Sequence, residues 1–169
     1  MTLLTTIRIG KLSCYVLECQ NAQSVTSTTY VDVGISNTIT TVVDQFNTTL
    51  SADSSTDRVT LPAGKYYLDA KLYVKRYPYT GSVWGAEYIF YEYSNNTKTE
   101  IGFLGREADL THIGNPQKSE HAVAYIESDG TTEIGLQVKK ISSLNVIISA
   151  QDGQQGGAGQ SRFMIWRIE

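Results

Sequence analysis

Few side chains in this sequence combine in a way that could catalyse a reaction. Enzyme chemistry needs a nucleophile, a base and stabilising donors that converge on one place. His112 and His121 are the only side chains expected to titrate near neutral pH, and the sequence contains no Gly-x-Ser-x-Gly nucleophile elbow. We therefore expect no enzymatic activity and no catalytic residue, with His121 lying beside Glu120 on the face of a strand.

The patterns expected of metal and phosphate sites are also incomplete. The segment from Asp53 to Asp57 carries two carboxylates, but it lacks the glycine, the spacing and the closing glutamate of a calcium loop. We expect it to be a polar β-turn connection. The glycines of residues 153–159 run into a strand, whereas a phosphate-binding loop needs a following helix. The sequence therefore predicts no metal and no cofactor.

Cys14 and Cys19 are the only two cysteines of the chain. Positions five apart on a strand point to opposite faces and lie roughly 16 Å apart, which is too far for a disulfide. No cluster of histidine, cysteine or carboxylate side chains with metal-ligand spacing accompanies them. We expect two small free thiols that are buried or half-buried.

An aromatic cluster is the sequence feature most suited to binding. Tyr73, Tyr77, Tyr79 and Trp84 flank the basic pair Lys75-Arg76. Such a set could stack on bases or sugars, but Tyr and Arg are also enriched in protein interfaces. Fourteen basic and seventeen acidic residues give a net charge of −3, which offers no basic stripe for nucleic acid or an anionic membrane. We favour protein contact, with ordinary packing and glycan contact as the alternatives.

Composition places the chain among globular proteins with one domain. Of its 169 residues, 41% are hydrophobic and 18% are charged, so an apolar core is available and disorder is excluded. Apolar runs are too short to span a bilayer, and residues 1–8 do not resemble a signal peptide. We expect a single domain over residues 11–169, preceded by an arm at 1–10 that orders only against a neighbour.

The elements that must position these side chains are β-strands. Eleven tyrosines, many β-branched residues and 14 glycines at short intervals favour an all-β protein. Strict alternation from Lys65 to Lys75 turns Tyr66, Leu68, Ala70, Leu72 and Val74 toward a core. The sequence predicts an antiparallel jelly roll or β-sandwich of about eight to ten strands, with single helical turns possible at Phe46–Leu50 and Arg106–Leu110. The further strands are expected at Leu12–Glu18, Thr29–Val33, Thr38–Asp44, Arg58–Leu61, Gly85–Tyr93, Glu100–Leu104, Glu120–Glu127, Glu133–Lys139, Leu144–Ala150 and Arg162–Ile168.

One contiguous core should follow from this pattern, and residues 151–160 should form a long flexible loop. The residues expected in that core are Leu68, Leu72, Ile134, Leu136, Val138, Val146, Ile148 and Phe163.

Three segments resemble the jelly rolls of the C1q and tumour-necrosis-factor type. Arg58–Ala70 is similar to their apolar-Pro-x-Gly-x-Tyr entry into an alternating strand. Ala122–Val138 resembles their amphipathic strand pair with a tight turn, and Ser161–Glu169 their last buried strand. The resemblance covers roughly residues 58–169 and implies a jelly-roll fold.

The sequence is also similar in style to small jelly-roll virion proteins of tailed bacteriophages, which are rich in Thr, Ser, Gly and Tyr and are often trimeric. This resemblance implies a non-enzymatic capsid decoration, or cement, protein that is made in the host cytoplasm and binds the major capsid protein on the capsid surface. The alternative is a receptor- or glycan-binding tip module of a tail fibre or baseplate. In both cases we expect a homotrimer that hides outward apolar side chains.

Mobile ends and protruding loops are the expected contact points for capsid. The arm offers apolar side chains that could add a strand to a capsid edge, and the 76–84 loop offers aromatic side chains and one arginine. The predicted partner-binding residues are Leu3, Leu4, Ile7 and Ile9 in the arm, and Arg76, Tyr77, Tyr79 and Trp84 in the loop.

Overall fold

A computed structural model describes residues 11–19, 23–77, 84–109, 118–148 and 161–169. Within these ranges the chain forms fifteen β-strands and no helix. The strands are β1 Ser13–Cys19, β2 Gln23–Val25, β3 Val31–Asp32, β4 Ile35–Asp44, β5 Ser51–Asp53, β6 Arg58–Leu61, β7 Gly64–Lys71, β8 Val74–Tyr77, β9 Trp84–Ser94, β10 Thr97–Asp109, β11 Lys118–Glu120, β12 Ala122–Ser128, β13 Thr132–Lys140, β14 Asn145–Ile148 and β15 Arg162–Arg167.

Every strand pair is antiparallel, which confirms the predicted all-β antiparallel class. Ten strands follow one another in the order β4-β1-β15-β7-β12-β10-β9-β13-β6-β5, with β11 added to β10 and β3 to β13. A small sheet has the order β2-β14-β8. The strand count exceeds the predicted eight to ten for two reasons. β2, β5 and β11 have only three residues each, too few to show an alternating pattern, and the strand predicted over residues 65–75 is divided between β7 and β8.

The alternation predicted from residue 65 to residue 75 holds, but the pairing changes within it. Tyr66, Leu68, Ala70, Leu72 and Val74 are all buried. However, β7 pairs with β15 and β12, whereas β8 pairs with β14 of the small sheet. The chain from β7 to β8 therefore runs from the large sheet into the small one, and its inward side chains all belong to the same buried cluster.

The eight predicted core residues all belong to one buried cluster, as expected. The ring of Phe163 from β15 packs edge-on against Phe90 from β9, with 5.9 Å between the ring centres. The hydroxyls of two buried tyrosines are satisfied by backbone carbonyls, since Tyr66 donates to Pro62 and Tyr88 donates to Glu120. Burying these rings therefore costs no unpaired hydrogen-bonding group.

Neither expected helical turn is present. The segment after residue 105 is strand as far as Asp109, because its backbone pairs residue by residue with β9 from Glu87 back to Trp84. Ala108 is buried there, and Arg106 and Glu107 form ion pairs with Glu87 and Lys71. The 46–50 segment is also not helical. The carboxylate of Asp44 accepts the backbone N–H groups of residues 46 and 48, which fixes a turn instead.

The polar turn at Asp53 is as predicted. Its carboxylate accepts hydrogen bonds from the Ser55 backbone N–H and hydroxyl and from the Thr56 hydroxyl, so the turn itself occupies it. The predicted arm at residues 1–10, the loop at 151–160 and His112 lie outside the described residues.

Candidate interaction surface

The predicted partner-binding residues are described only in part. Leu3, Leu4, Ile7, Ile9 and Tyr79 lie outside the described residues. Arg76 and Tyr77 lie in β8, where their backbone pairs with Val146 and Asn145 of β14. Trp84 begins β9, and its half-buried ring packs against the core cluster.

A different surface emerges from the strand register. β1, β15, β7 and β12 lie side by side, and residues directly opposite each other in antiparallel strands point to the same face. We call the resulting pair of rows, on the face turned away from the core, the outer band. One row contains Cys14, Trp166, Tyr67 and Tyr125, and the other contains Val16, Met164, Asp69, Val123 and Phe103.

The outer band holds three of the six exposed large apolar side chains of the described residues. Phe103, Tyr125 and Tyr67 are 77%, 53% and 39% exposed. Leu104 directly follows Phe103, Ile168 lies beside the band, and Val42, on the edge strand β4, completes the set of six. Taking about 4.8 Å between strands and 3.3 Å per residue, the band measures about 24 Å by 13 Å. A footprint of roughly 300 Å² is at the lower end of the range for the largest apolar patch of a single-chain protein, and such patches are often functional.

Phe103 reaches this face because β10 is bulged. Ile101 lies opposite Phe90 and Gly105 opposite Tyr88, so three residues of β10 match one residue of β9. Gly102 within the bulge has φ +77°, and a Cβ there would lie 2.1 Å from the carbonyl oxygen of Val123. Only glycine fits this conformation and this close approach. The bulge detaches Phe103 from the β9 ladder and pairs it with Val123 of β12, which places an aromatic ring at the end of the band.

Charged side chains border the band on both sides. The next row on one side contains Glu18, Arg162 and Lys71, and the row on the other side contains Lys65 and Glu127. Lys71 pairs with Glu107 at 2.6 Å, and Lys65 pairs with Glu169. An apolar centre with a polar rim is the usual anatomy of a protein–protein interface.

Asp69 is the one ionisable carboxylate inside the band. Its carboxylate lies 2.6 Å from Nδ1 of His121, so this ring nitrogen already has a hydrogen-bond partner. In the described part of the chain, no three histidine, cysteine or carboxylate side chains approach closely enough to hold a metal ion.

Both cysteines are buried and free, as the sequence predicts. Burial raises the pKa of the Cys19 thiol to about 12, so this thiol stays protonated and unreactive at neutral pH. Cys14 belongs to the Trp166 row of the outer band but is itself buried, and burial also raises its pKa. Within the described ranges there is no helix that could cross a membrane.

The outer band was missed by reasoning from the sequence, which concentrated on the loop at residues 76–84. Alternation along β7 turns Tyr67 away from the core, as expected for a residue between the inward Tyr66 and Leu68. The strand order that brings Tyr67 between Trp166 and Tyr125 depends on pairings between distant segments, and a single sequence carries no direct sign of them.

Known proteins resemble this chain in structure but not in sequence. No protein-family model matches the chain, and no curated protein matches its sequence. Murine APRIL at pH 8.0 superposes with a TM-score of 0.57 at 11% identity, covering 94% of this chain and 100% of that one. Eiger TNF from S. frugiperda superposes with a TM-score of 0.57 at 9% identity, covering 94% and 93%. At these identities the likeness concerns the fold, and it confirms that this chain is a jelly roll of the type found in TNF proteins.

Proposed function

We propose that this chain is a non-enzymatic virion protein that forms a homotrimer through its outer band and decorates a phage head by binding between major capsid subunits. The observation that carries the assembly is the outer band, in which Phe103, Tyr125 and Tyr67 are exposed on one face of the sheet. The assignment to a phage head rests on the resemblance of the sequence to small jelly-roll virion proteins.

Self-association is the favoured use of the band because its size and border suit a subunit contact. With the two charged rows included, the surface covers about 24 Å by 27 Å, or roughly 650 Å². A stable interface buries about 800 Å² on each partner, so this face supplies most of the required area. A threefold ring needs two different patches that meet head to tail. The Phe103 end and the Val16 end of the band lie at opposite ends of the strand order β1-β15-β7-β12-β10 and provide such a pair.

Capsid binding would then use parts of the subunit that the trimer leaves free. The candidates remain Leu3, Leu4, Ile7 and Ile9 of the predicted arm, Arg76 and Tyr77 of β8, and Tyr79. Three copies of a weak contact in one trimer bind cooperatively, because after the first contact the others form at a high effective concentration. Multivalent binding of this kind stabilises a head without any enzymatic reaction.

The direct test is binding to purified heads that lack the protein. Wild type should bind in hundreds of copies per particle, counted by calibrated gel or electron microscopy. Deleting residues 2–10 should leave a folded trimer that no longer binds heads. Replacing Tyr77 and Tyr79 with Ala should weaken binding by about 1–3 kcal/mol.

Two outcomes would contradict the proposal. One is that both variants decorate heads as wild type does. The other is that wild type never binds heads but binds host cells in a handful of copies per particle, which would assign the protein to a tail tip.

A further inference from the structure

Asp69 places a carboxylate in the middle of the outer band. In its row, Met164 of β15 lies on one side of it and Val123 of β12 on the other, and neither side chain carries a charge. The side chain of Asp69 is 20% exposed in the single chain. A subunit contact through the band removes the remaining water from this carboxylate. Burying an ionised carboxylate is costly unless a cation is buried with it.

His121 is the side chain that can supply this cation. Its Nδ1 lies 2.6 Å from Oδ1 of Asp69, and its side chain is 49% exposed. The backbone holds the two residues together, because Ala122 lies opposite Ala70 in the pairing of β12 with β7. In the described part of the chain, this is the one ion pair that Asp69 can form, and it exists only when the imidazole is protonated.

The charged groups nearest to this pair belong to other contacts. Lys71, two residues along β7 from the carboxylate, pairs with Glu107 of β10 at 2.6 Å. Glu120 directly precedes the histidine and lies opposite Arg106 in the register of β10 and β11. Lysine, arginine and carboxylate side chains keep their charge between pH 5 and 8, so they add a constant field to the pair.

Two tyrosines complete the surroundings of the pair. Tyr67 lies two residues along β7 from Asp69, and the Tyr88 hydroxyl of β9 donates to the Glu120 carbonyl beside His121. Phenols remain uncharged between pH 5 and 8, the range in which histidine changes charge. The His121 imidazole is therefore the group of this cluster that responds to pH in that range.

We propose that assembly of the outer band is coupled to protonation of His121, so that the subunits associate more tightly at acidic than at neutral pH. This inference rests on the proposed use of the band in trimer formation. With a neutral imidazole, each contact buries the negative charge of Asp69. With a protonated imidazole, it buries an ion pair without net charge, so each contact that forms takes up about one proton.

The direction of the pH dependence follows from this proton uptake. A reaction that binds protons is favoured as pH falls, so the dissociation constant of each contact decreases from about pH 8 to about pH 5.5. An opposite charge within about 4–6 Å changes the proton affinity of a group by roughly tenfold or more. We therefore expect the dissociation constant to fall about tenfold over this range.

Sedimentation equilibrium of the full chain at about pH 5.5 and about pH 8, at constant ionic strength, tests this coupling. Wild type should show the tenfold difference. Asp69→Asn keeps the shape of the side chain without its charge, and it should assemble at both pH values as tightly as wild type does at the lower one. His121→Gln keeps a hydrogen-bond donor that does not titrate, and it should assemble at both pH values as weakly as wild type does at the higher one.

His112→Gln is the matched control, because the chain has only two histidines. It should keep the pH dependence of wild type. The net charge of −3 also disappears near the sequence pI of about 5.4, and this loss of general repulsion affects all four proteins alike. The comparison between variants therefore isolates the contribution of the pair. Thermal unfolding checks each fold, and the opposite effects expected of Asp69→Asn and His121→Gln keep the proposal testable if one of them unfolds.

Three results would overturn the coupling while leaving the trimer itself intact. The first is a wild-type trimer with the same dissociation constant at both pH values. The second is a folded Asp69→Asn or His121→Gln variant that keeps the full pH dependence, and the third is loss of the dependence in His112→Gln. A wild type that stays monomeric at both pH values would instead refute the trimer, and this inference with it.

Discussion

Replacement of Phe103 by Ser should dissociate the trimer without unfolding the subunit. The ring is 77% exposed in the single chain, so the variant should lose less than about 0.5 kcal/mol of folding stability. An aromatic side chain presents roughly 200 Å², of which about 150 Å² is therefore available for burial in a contact. At about 25 cal/mol per Å² the upper limit is about 4 kcal/mol per subunit. Ordering and desolvation reduce this, and we expect about 2 kcal/mol.

Sedimentation equilibrium measures this effect directly. Wild type should give a mass of about 56 kDa at micromolar concentration, three times the 18.7 kDa of one chain. Phe103→Ser should raise the dissociation constant of each subunit contact roughly 30-fold. Phe103→Leu retains an apolar side chain and should assemble nearly as wild type does. Glu100→Ser, at an exposed position of the same strand on the opposite sheet, is the matched control.

Three results would refute this reasoning. Wild type sedimenting near 19 kDa would show that the band is not a self-association surface. A Phe103→Ser variant that assembles as tightly as wild type would show that the ring lies outside the contact. An equal effect of Glu100→Ser would show that general surface changes, rather than loss of an apolar contact, cause dissociation.

Three further predictions concern the subunit itself. Leu136→Ala or Phe163→Ala should cost about 2–5 kcal/mol in urea denaturation, since both side chains are fully buried, and a loss below about 0.5 kcal/mol would contradict this assignment. Gly102→Ala should lower the free energy of unfolding by about 1–3 kcal/mol, because it combines a positive φ with a clash against a carbonyl oxygen. An unchanged melting temperature would show that the bulge relaxes. Hydrogen bonding, first from the Ser13 hydroxyl, lowers the pKa of Asp44 in the folded chain. This contribution to stability is present above the ordinary aspartate pKa near 4 and is lost as pH falls through the lower folded value. Ser13→Ala should move the NMR titration of Asp44 upward, and an unmoved titration would exclude the Ser13 hydroxyl as the main cause.

Local pattern was sufficient to predict the fold class and the core. Each inward position from Tyr66 to Val74 is buried because alternation is dictated by strand geometry alone. The same pattern gave no sign that the chain changes sheets between β7 and β8, since burial continues while the pairing partners change. The helical turn expected after residue 105 is absent for a related reason, because the backbone of residues 105–109 pairs with the distant strand β9, and this pairing overrides local propensity.

The outer band required information that periodicity does not contain. Trp166, Tyr67 and Tyr125 are far apart in the sequence and become neighbours only through the order β15-β7-β12. Phe103 is on this face because of a bulge that needs a glycine with positive φ, and an isolated Gly102 in a strand is only a weak hint of one. Sequence reasoning could therefore identify aromatic residues suited to contact, but not the set that shares one surface.

The position of β15 has a consequence for synthesis in the cell. Residues 162–167 fill the gap between β1 and β7, so the large sheet stays divided until they have left the ribosome. Met164 and Trp166 contribute the middle of the outer band from the same strand. A nascent or prematurely terminated chain that stops before residue 162 therefore lacks both the strand that joins β1 to β7 and the middle of the surface proposed for trimer formation.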